Sequence, residues 1–211
     1  GLIGKALLSM MGEQYARLAK SNKLETTLVA VANSRKMLFA EDGLSFSDAV
    51  DAMLVRGEPM RIEAFVNRMI ELNLPNSIFV DNTSSEQVTE HYERILSNNI
   101  SIVTPNKKAA SGSLDLYKKL KSICYQRGVK YLYETNVGAG LPVINTMHDL
   151  LHSGDKVISI EAVLSGTLNF IFSSFTEGTR FSDVVKEAKN KGYTEPDPRD
   201  DLNGMDVARK I

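Results

Sequence analysis

Apolar residues recur at helical spacing over residues 5–21, where Leu7, Leu8, Met11, Tyr15, Leu18 and Ala19 share one face. The pattern then changes to the β-rich run Thr26-Thr27-Leu28-Val29-Ala30-Val31-Ala32. A helix leading into a buried strand is predicted. The alternation repeats along the chain: helical patterns over 47–56 and 61–72 lead to a strand over 77–81, one over 86–96 leads to 100–104, and one over 113–126 leads to 129–133. Near-continuous apolar strands separated by helices predict an α/β fold with a parallel sheet covered on both faces.

From Glu134 the character changes. Glu134-Thr135-Asn136-Val137-Gly138-Ala139-Gly140-Leu141-Pro142 is a small-residue loop whose backbone can approach another group closely, and it leads into a helical stretch through His152. Residues 155–163 read as a strand, and Leu164-Ser165-Gly166-Thr167-Leu168-Asn169-Phe170 turns into another helix. A helix over 181–191, with Phe181, Val184, Val185 and Ala188 inward, ends at Gly192 as its C′ residue. The following run, 192–210, is rich in carboxylates. Pro196 and Pro198 forbid a helix through them, after which Asp200 or Asp201 caps a new helix. Asp206 and Lys210 then stand i, i+4 on one face, a spacing that by itself more often marks a surface ion pair than chemistry. No internal repeat, low-complexity segment or Pro/Gly/Ser-rich linker divides the chain.

Composition narrows the function classes. Twenty-five Lys and Arg against 26 Asp and Glu leave a formal charge of -1, with no basic excess for nucleic acid or an anionic membrane. A small-molecule partner is expected. No apolar run reaches about 18 residues, and no charged-then-apolar leader opens the chain, so a cytoplasmic protein without a membrane span is expected. The single cysteine, Cys124, excludes an internal disulfide and any multi-cysteine zinc site, and reads as a packed thiol on a lysine-rich helix. His91, His148 and His152 fall in helical stretches and receive no chemistry, and the eight methionines read as core. Both ends read as cut, since Gly1-Leu2-Ile3-Gly4 lacks a Met and a preceding strand and Ile211 stops inside a helical pattern.

In parallel sheets ligands bind beyond the carboxyl ends of the strands. Three such ends are polar here: Asn33-Ser34-Arg35-Lys36, Asp81-Asn82-Thr83-Ser84-Ser85 and Thr104-Pro105-Asn106-Lys107-Lys108. Gly1 and Gly4, with Leu2 and Ile3 between them, fit the second and third glycines of a G-x-G-x-x-G turn, placing a pyrophosphate at the helix N-terminus. That motif is weak alone, because a glycine pair opening a helix is more often only a turn. The second strand ends without the acidic residue that grips a ribose 2′-hydroxyl. Asn33, Ser34, Arg35 and Lys36 instead favour NADP over NAD, the alternative being that Arg35 and Lys36 only solvate a loop.

Taken in order, the Gly1 to Gly4 turn, the 81–85 and 104–109 strand ends, the 136–142 loop, Ser165-Gly166-Thr167-Leu168 and the 192–210 run resemble homoserine dehydrogenase across the whole chain. The wording of several segments is most like the dehydrogenase part of the bifunctional aspartokinase/homoserine dehydrogenases, which implies a kinase upstream of Gly1. The resemblance implies an NAD(P)-binding Rossmann-type domain over 1–133 lacking its first strand. An α+β catalytic and dimerisation domain would cover 134–211. It implies reduction of L-aspartate 4-semialdehyde to L-homoserine, on the route to threonine, methionine and isoleucine, by a homo-oligomer. Lys107 would sit near nicotinamide and substrate, with Asn82, Thr83, Ser84 and Ser85 at the cofactor. Glu195 and Asp201 would bind the amino acid, with Gly166, Thr167 and Tyr193 lining its pocket. Asp206 and Lys210 would flank the reacting carbon. Backbone carbonyls of Glu134, Val137, Ala139 and Leu141 would hold a monovalent cation, Na or K.

These residue types suit the chemistry. Aldehyde reduction needs a hydride on carbon and a proton on the developing alkoxide, and a lysine in reach both stabilises that oxygen and protonates it. Lys210 is the candidate acid, held charged by Asp206. One rival, a semialdehyde dehydrogenase acylating a cysteine, needs a base beside Cys124 and finds a lysine-rich helix. Another is a non-catalytic nucleotide-sensing module in which Asp206 and Lys210 are structural. Without the first strand and first glycine, the isolated piece is expected to be inactive or nearly so.

Overall fold

The helical spacing near the start of the chain becomes α1 (Leu2–Asn22), a 21-residue helix closed by Lys23 in the left-handed conformation. The computed structural model describes residues 1–194 and 197–211, which divide into two units. The first unit contains Gly1–Val103 and Leu120–Tyr131.

In this unit β1 (Leu28–Ala32) turns back into β2 (Lys36–Leu44) as an antiparallel pair, with Ala30 opposite Phe39 and Ala32 opposite Met37. The hairpin was not expected. Lys36, Glu41, Asp42 and Gly43 break the apolar pattern of β2, so its pairing with neighbouring strands, rather than its own pattern, marks it as a strand. After α2 (Ala49–Arg56), the short β3 (Glu58–Pro59) adds to the other edge of β2. α3 (Ile62–Leu72) buries Phe65 and Val66. The Phe65 ring lies 4.8 Å from Phe39 of the first sheet and 6.3 Å from Phe79 of the second, so this one side chain ties the two sheets together.

The second sheet carries the expected parallel pairing. β4 (Ile78–Val80) runs parallel to β5 (Ser101–Val103), with Phe79 opposite Ile102. Between them the helix expected over 86–96 is two short ones, α4 (Glu86–Thr89) and α5 (Tyr92–Ser97). They part where the His91 N–H bonds to the Val88 carbonyl, three residues back, and tightens the turn. α6 (Leu114–Arg127) then leads to β6 (Tyr131–Leu132), next to β5. Tyr92, Ile95, Leu96, Ile102 and Leu120 are fully buried and form the heart of this core.

The second unit contains Thr104–Lys119 and Leu132–Ile211. A 3-10 turn (Glu134–Asn136) precedes α7 (Val143–His152), α8 (Gly166–Ser174), α9 (Phe181–Asn190), α10 (Pro198–Leu202) and α11 (Met205–Lys210). Ile171, Val184 and Ala188 are buried together, with Phe170, Val185 and Leu202 against them, joining α8, α9 and α10. Gly192 ends α9 as read from the sequence: its φ is 73°, its N–H reaches the Lys189 carbonyl and the Tyr193 N–H reaches Ala188, a Schellman pair.

Two expectations are corrected here. Residues 155–163 form no strand, because alternation supplies only one side of a ladder and no described segment pairs with it. Asp197, not Asp200 or Asp201, caps the carboxylate-rich helix, accepting from the Arg199 N–H at 3.0 Å with Pro198 in the first turn. Among the described residues no helix is long and apolar enough to cross a membrane.

Candidate active site

Three charged side chains meet in the second unit, Asp206 and Lys210 from one helix and Lys107 from a turn far earlier in the sequence. Lys107 lies in a turn held by side-chain hydrogen bonds. Thr104 Oγ1 accepts from the Asn106 N–H at 2.8 Å and Asn106 Oδ1 accepts from the Lys108 N–H at 3.1 Å, while Asn136, with its amide assigned so that the nitrogen faces the turn, donates to the Pro105 carbonyl at 2.9 Å. The Lys107 carbonyl in turn accepts from the Ser111 N–H and hydroxyl. That turn aims the ammonium at Asp206, with Nζ 3.3 Å from Oδ1.

Asp206 opens α11 after Gly204, whose φ of 72° reverses the chain without Cβ strain. One turn later on the same face, Lys210 Nζ lies 2.7 Å from Asp206 Oδ2 and donates to the Leu164 carbonyl at 2.6 Å. One carboxylate is thus shared by two ammonium groups. Partial burial works to raise the Asp206 pKa, but the Lys210 hydrogen bond and the two lysine charges outweigh it and hold the carboxyl below the usual range. The side chain of Lys210 is 18% exposed and that of Asp206 47%, so the lysine is the more enclosed partner.

Beside this cluster in sequence, Gly166, Thr167, Phe170 and Tyr193 line a cavity of about 480 Å³. Thr167 is buried, and its hydroxyl donates to the Tyr193 carbonyl, fixing the start of α8 to the turn after α9. The Phe170 ring stands edge-on to Tyr193 at 5.0 Å, with Lys191 Nζ 4.9 Å from its centroid. Gly166, Thr167 and Tyr193 had been singled out from sequence. Phe170 had not, although its i, i+4 spacing from Gly166 puts it on the same helix face. The Leu164 carbonyl was missed as well, since a backbone acceptor leaves no trace in residue type. Asp201 is half-buried in the first turn of α10, and Glu195 lies outside the described residues.

The polar strand ends of the first unit have their own geometry. Gly1, Leu2, Ile3 and Gly4 open α1, whose first turn carries no acidic residue. A Cβ added to Gly4 would lie 3.6 Å from Asn82 Nδ2, so α1 begins in contact with the 81–85 loop. Asp81 is buried and shapes that loop, accepting from the Thr83 N–H at 2.8 Å and the Tyr92 hydroxyl at 2.6 Å. The Ser85 N–H donates to Thr83 Oγ1 at 3.1 Å, with Ser84 exposed between them. Asn33 is engaged in the β1–β2 turn, where its Oδ1 accepts from the N–H groups of Arg35 and Lys36 at 2.7 and 2.9 Å. Lys36 Nζ donates to the Leu54 carbonyl, leaving Ser34 and Arg35 exposed at the tip.

In the 134–142 loop the Glu134 carboxylate accepts from the N–H groups of Ile144 and Asn145, each at 2.8 Å, and so caps α7. Gly138 and Ala139 both have positive φ, 74° and 52°, which turns the loop sharply between Val137 and Leu141. Among the described residues no group of three or more His, Cys, Asp and Glu is placed to hold a metal ion. Cys124 is half-buried in α6, and burial pushes its thiol up despite Lys121 and Lys130, the opposite of what a nucleophile needs.

Comparison with known proteins bears on both units. The homoserine dehydrogenase NAD-binding domain family matches residues 1–134, and the homoserine dehydrogenase family matches residues 142–211. The chain is 44% identical over 212 residues to a chloroplastic bifunctional aspartokinase/homoserine dehydrogenase of Zea mays, covering all of this chain and 23% of that protein. It is 49% identical over 155 residues to a homoserine dehydrogenase of Schizosaccharomyces pombe, covering 71% of this chain and 41% of the relative. The chain therefore spans about a quarter of the first relative and less than half of the second. A hyperthermophilic archaeal homoserine dehydrogenase in complex with NADPH has the same fold, with a TM-score of 0.80 at 24% identity over 98% of this chain and 63% of that one. With its parallel second sheet and its matches to both family domains, the chain is a Rossmann-type α/β protein that belongs to the homoserine dehydrogenase family.

Proposed function

We propose that the protein of which this chain is part reduces L-aspartate 4-semialdehyde to L-homoserine with a nicotinamide cofactor, NADPH in preference to NADH. The observation that carries this reading is the Lys107–Asp206–Lys210 cluster, with Lys210 doubly anchored by Asp206 and the Leu164 carbonyl. NADPH, when bound, supplies the hydride. Lys210 stabilises the oxygen that becomes negative as the aldehyde carbon gains hydride, and gives it the proton that completes the alcohol. Asp206 pairs with Lys210 and aims it, and Lys107 adds a second positive charge on the other carboxylate oxygen. Gly166, Thr167 and Tyr193 line the substrate pocket, with Glu195 and Asp201 assigned to the substrate ammonium group.

The cofactor residues present suit an anionic dinucleotide. The first turn of α1, with Gly1, Leu2, Ile3 and Gly4, carries no carboxylate to repel a pyrophosphate. Arg35 and Ser34 at the exposed hairpin tip suit a 2′-phosphate, with Asn33 shaping the turn beneath them. Asn82, Thr83, Ser84 and Ser85 complete the cofactor side. The carbonyls of Glu134, Val137, Ala139 and Leu141 are neutral oxygen donors of the kind a hard monovalent cation takes. The same reading divides the chain into a cofactor domain over 1–133 and a catalytic domain over 134–211, within a homo-oligomer.

The test is consumption of NADPH with formation of homoserine by the full-length protein given L-aspartate 4-semialdehyde. An NADPH-binding protein with no turnover would return the nucleotide-sensing alternative. Turnover abolished by Cys124→Ser would point to acyl-cysteine chemistry instead.

A further inference from the structure

Lys210 holds a flexible four-carbon side chain in one place with two acceptors, and they are not equivalent. Asp206 is half-exposed and divided between two lysines, so alone it leaves the ammonium free to swing about the carboxylate. The Leu164 carbonyl is the second point that fixes its direction, at 2.6 Å. An ammonium has three hydrogens, and with two engaged one remains for the substrate oxygen.

The direction of that carbonyl is set by the peptide joining Leu164 to Ser165. Ser165 is the N-cap of α8, with extended backbone (φ −126°, ψ 113°), and its hydroxyl oxygen accepts from the Leu168 N–H at 3.1 Å. Its carbonyl accepts from the Asn169 N–H at 2.9 Å. In the next residues, buried Thr167 is pinned through its hydroxyl to the Tyr193 carbonyl. The start of α8 is therefore held from both sides, and the Leu164 carbonyl is the group that moves if the cap is lost.

We propose that Ser165 is a positioning residue, whose cap on α8 orients the Leu164 carbonyl and through it the ammonium of Lys210. The inference rests on Lys210 being the proton donor. The charged groups paired around Lys210 are Asp206 on its own helix and Lys107 from the 104–108 turn. Both remain in a Ser165 variant, so the change isolates the carbonyl.

The experiment uses the full-length protein and compares Ser165→Ala, Ser165→Gly and Ser165→Thr with wild type for kcat, both KM values and thermal midpoint. Ser165→Ala is expected to lower kcat roughly tenfold by misplacing the acid, with KM for NADPH unchanged. Ser165→Thr, which keeps a capping hydroxyl, restores kcat. Glycine at an N-cap costs a helix little, so Ser165→Gly gives the same loss in a folded protein if the alanine variant does not fold. A lowered thermal midpoint with wild-type kcat would overturn the proposal, as would a kcat loss matched by an equal change in KM for NADPH, or failure of the threonine variant to rescue. Absence of turnover in wild type would instead sink the dehydrogenase reading on which it stands.

Discussion

Lys210 Nζ lies 2.7 Å from Asp206 Oδ2, across one turn of the short final helix, while the other oxygen of that carboxylate faces Lys107. The cluster assigns different work to its two lysines. Lys210→Ala is expected to lower kcat by about 10²- to 10⁴-fold, the range for losing a general acid, with NADPH affinity unchanged in a fluorescence titration. Lys107→Ala, which removes the more weakly held cation, should cost less in kcat. Near-normal turnover in Lys210→Ala would move the proton donor to Lys107 or a bound water.

The same carboxylate gives a pH dependence of stability. Asp206 has its pKa held below the ordinary aspartate value of about 3.9, burial opposing and the two lysines outweighing it. Its folded form therefore binds a proton less readily than its unfolded form. The stabilisation is fully present above the unfolded value and is lost as pH falls through the lowered folded value. The difference in thermal midpoint between wild type and Asp206→Asn should be constant from neutral pH down to that ordinary value, then shrink with further acid. A difference that widened with acid would reverse the sign assigned here.

The two kinds of information in this chain differ in how far they reach. α1, α3, α6 and α9 follow apolar spacing within a single segment, and Gly192 announces its C′ role because only a residue tolerant of positive φ closes a Schellman turn easily. β2 was invisible because its charges and glycine mask a strand that exists through pairing with β1. Residues 155–163 were misread for the converse reason, alternation without a partner. At the site, the Asp206 and Lys210 pair is legible as i, i+4. Lys107 joins it by tertiary contact, and the Leu164 carbonyl belongs to the backbone, so neither contact has a local signature.

Cofactor choice should turn on Arg35. Lys36 is bonded to the Leu54 carbonyl and Asn33 to the turn itself, so Arg35 is the cation at the hairpin tip. Arg35→Ala is expected to weaken NADPH about tenfold while leaving NADH within twofold, the low end for a hydrogen bond to a charged group. Equal losses for the two cofactors, measured by titration, would show that Arg35 supports the turn rather than the 2′-phosphate.

Glu134 links the small-residue loop to the helix after it. Pro142 stands at the N-cap of α7 and offers no side-chain acceptor, so the Glu134 carboxylate takes the N–H groups of Ile144 and Asn145 that a capping side chain would take. Glu134→Ala should cost about 0.5–2 kcal/mol, the range for a lost cap, and Glu134→Gln, with one acceptor oxygen left, about half as much. The loop between them contributes the carbonyls assigned to a monovalent cation. If Glu134 holds that loop in shape, the full-length wild type gains thermal midpoint in NaCl or KCl relative to choline chloride at equal ionic strength, and Glu134→Ala loses most of that gain. A wild type indifferent to the cation would remove the carbonyl site from the reading. A cation effect that survives intact in Glu134→Ala would leave the site standing and show that the glycine turn at Gly138, rather than the carboxylate, gives the loop its shape.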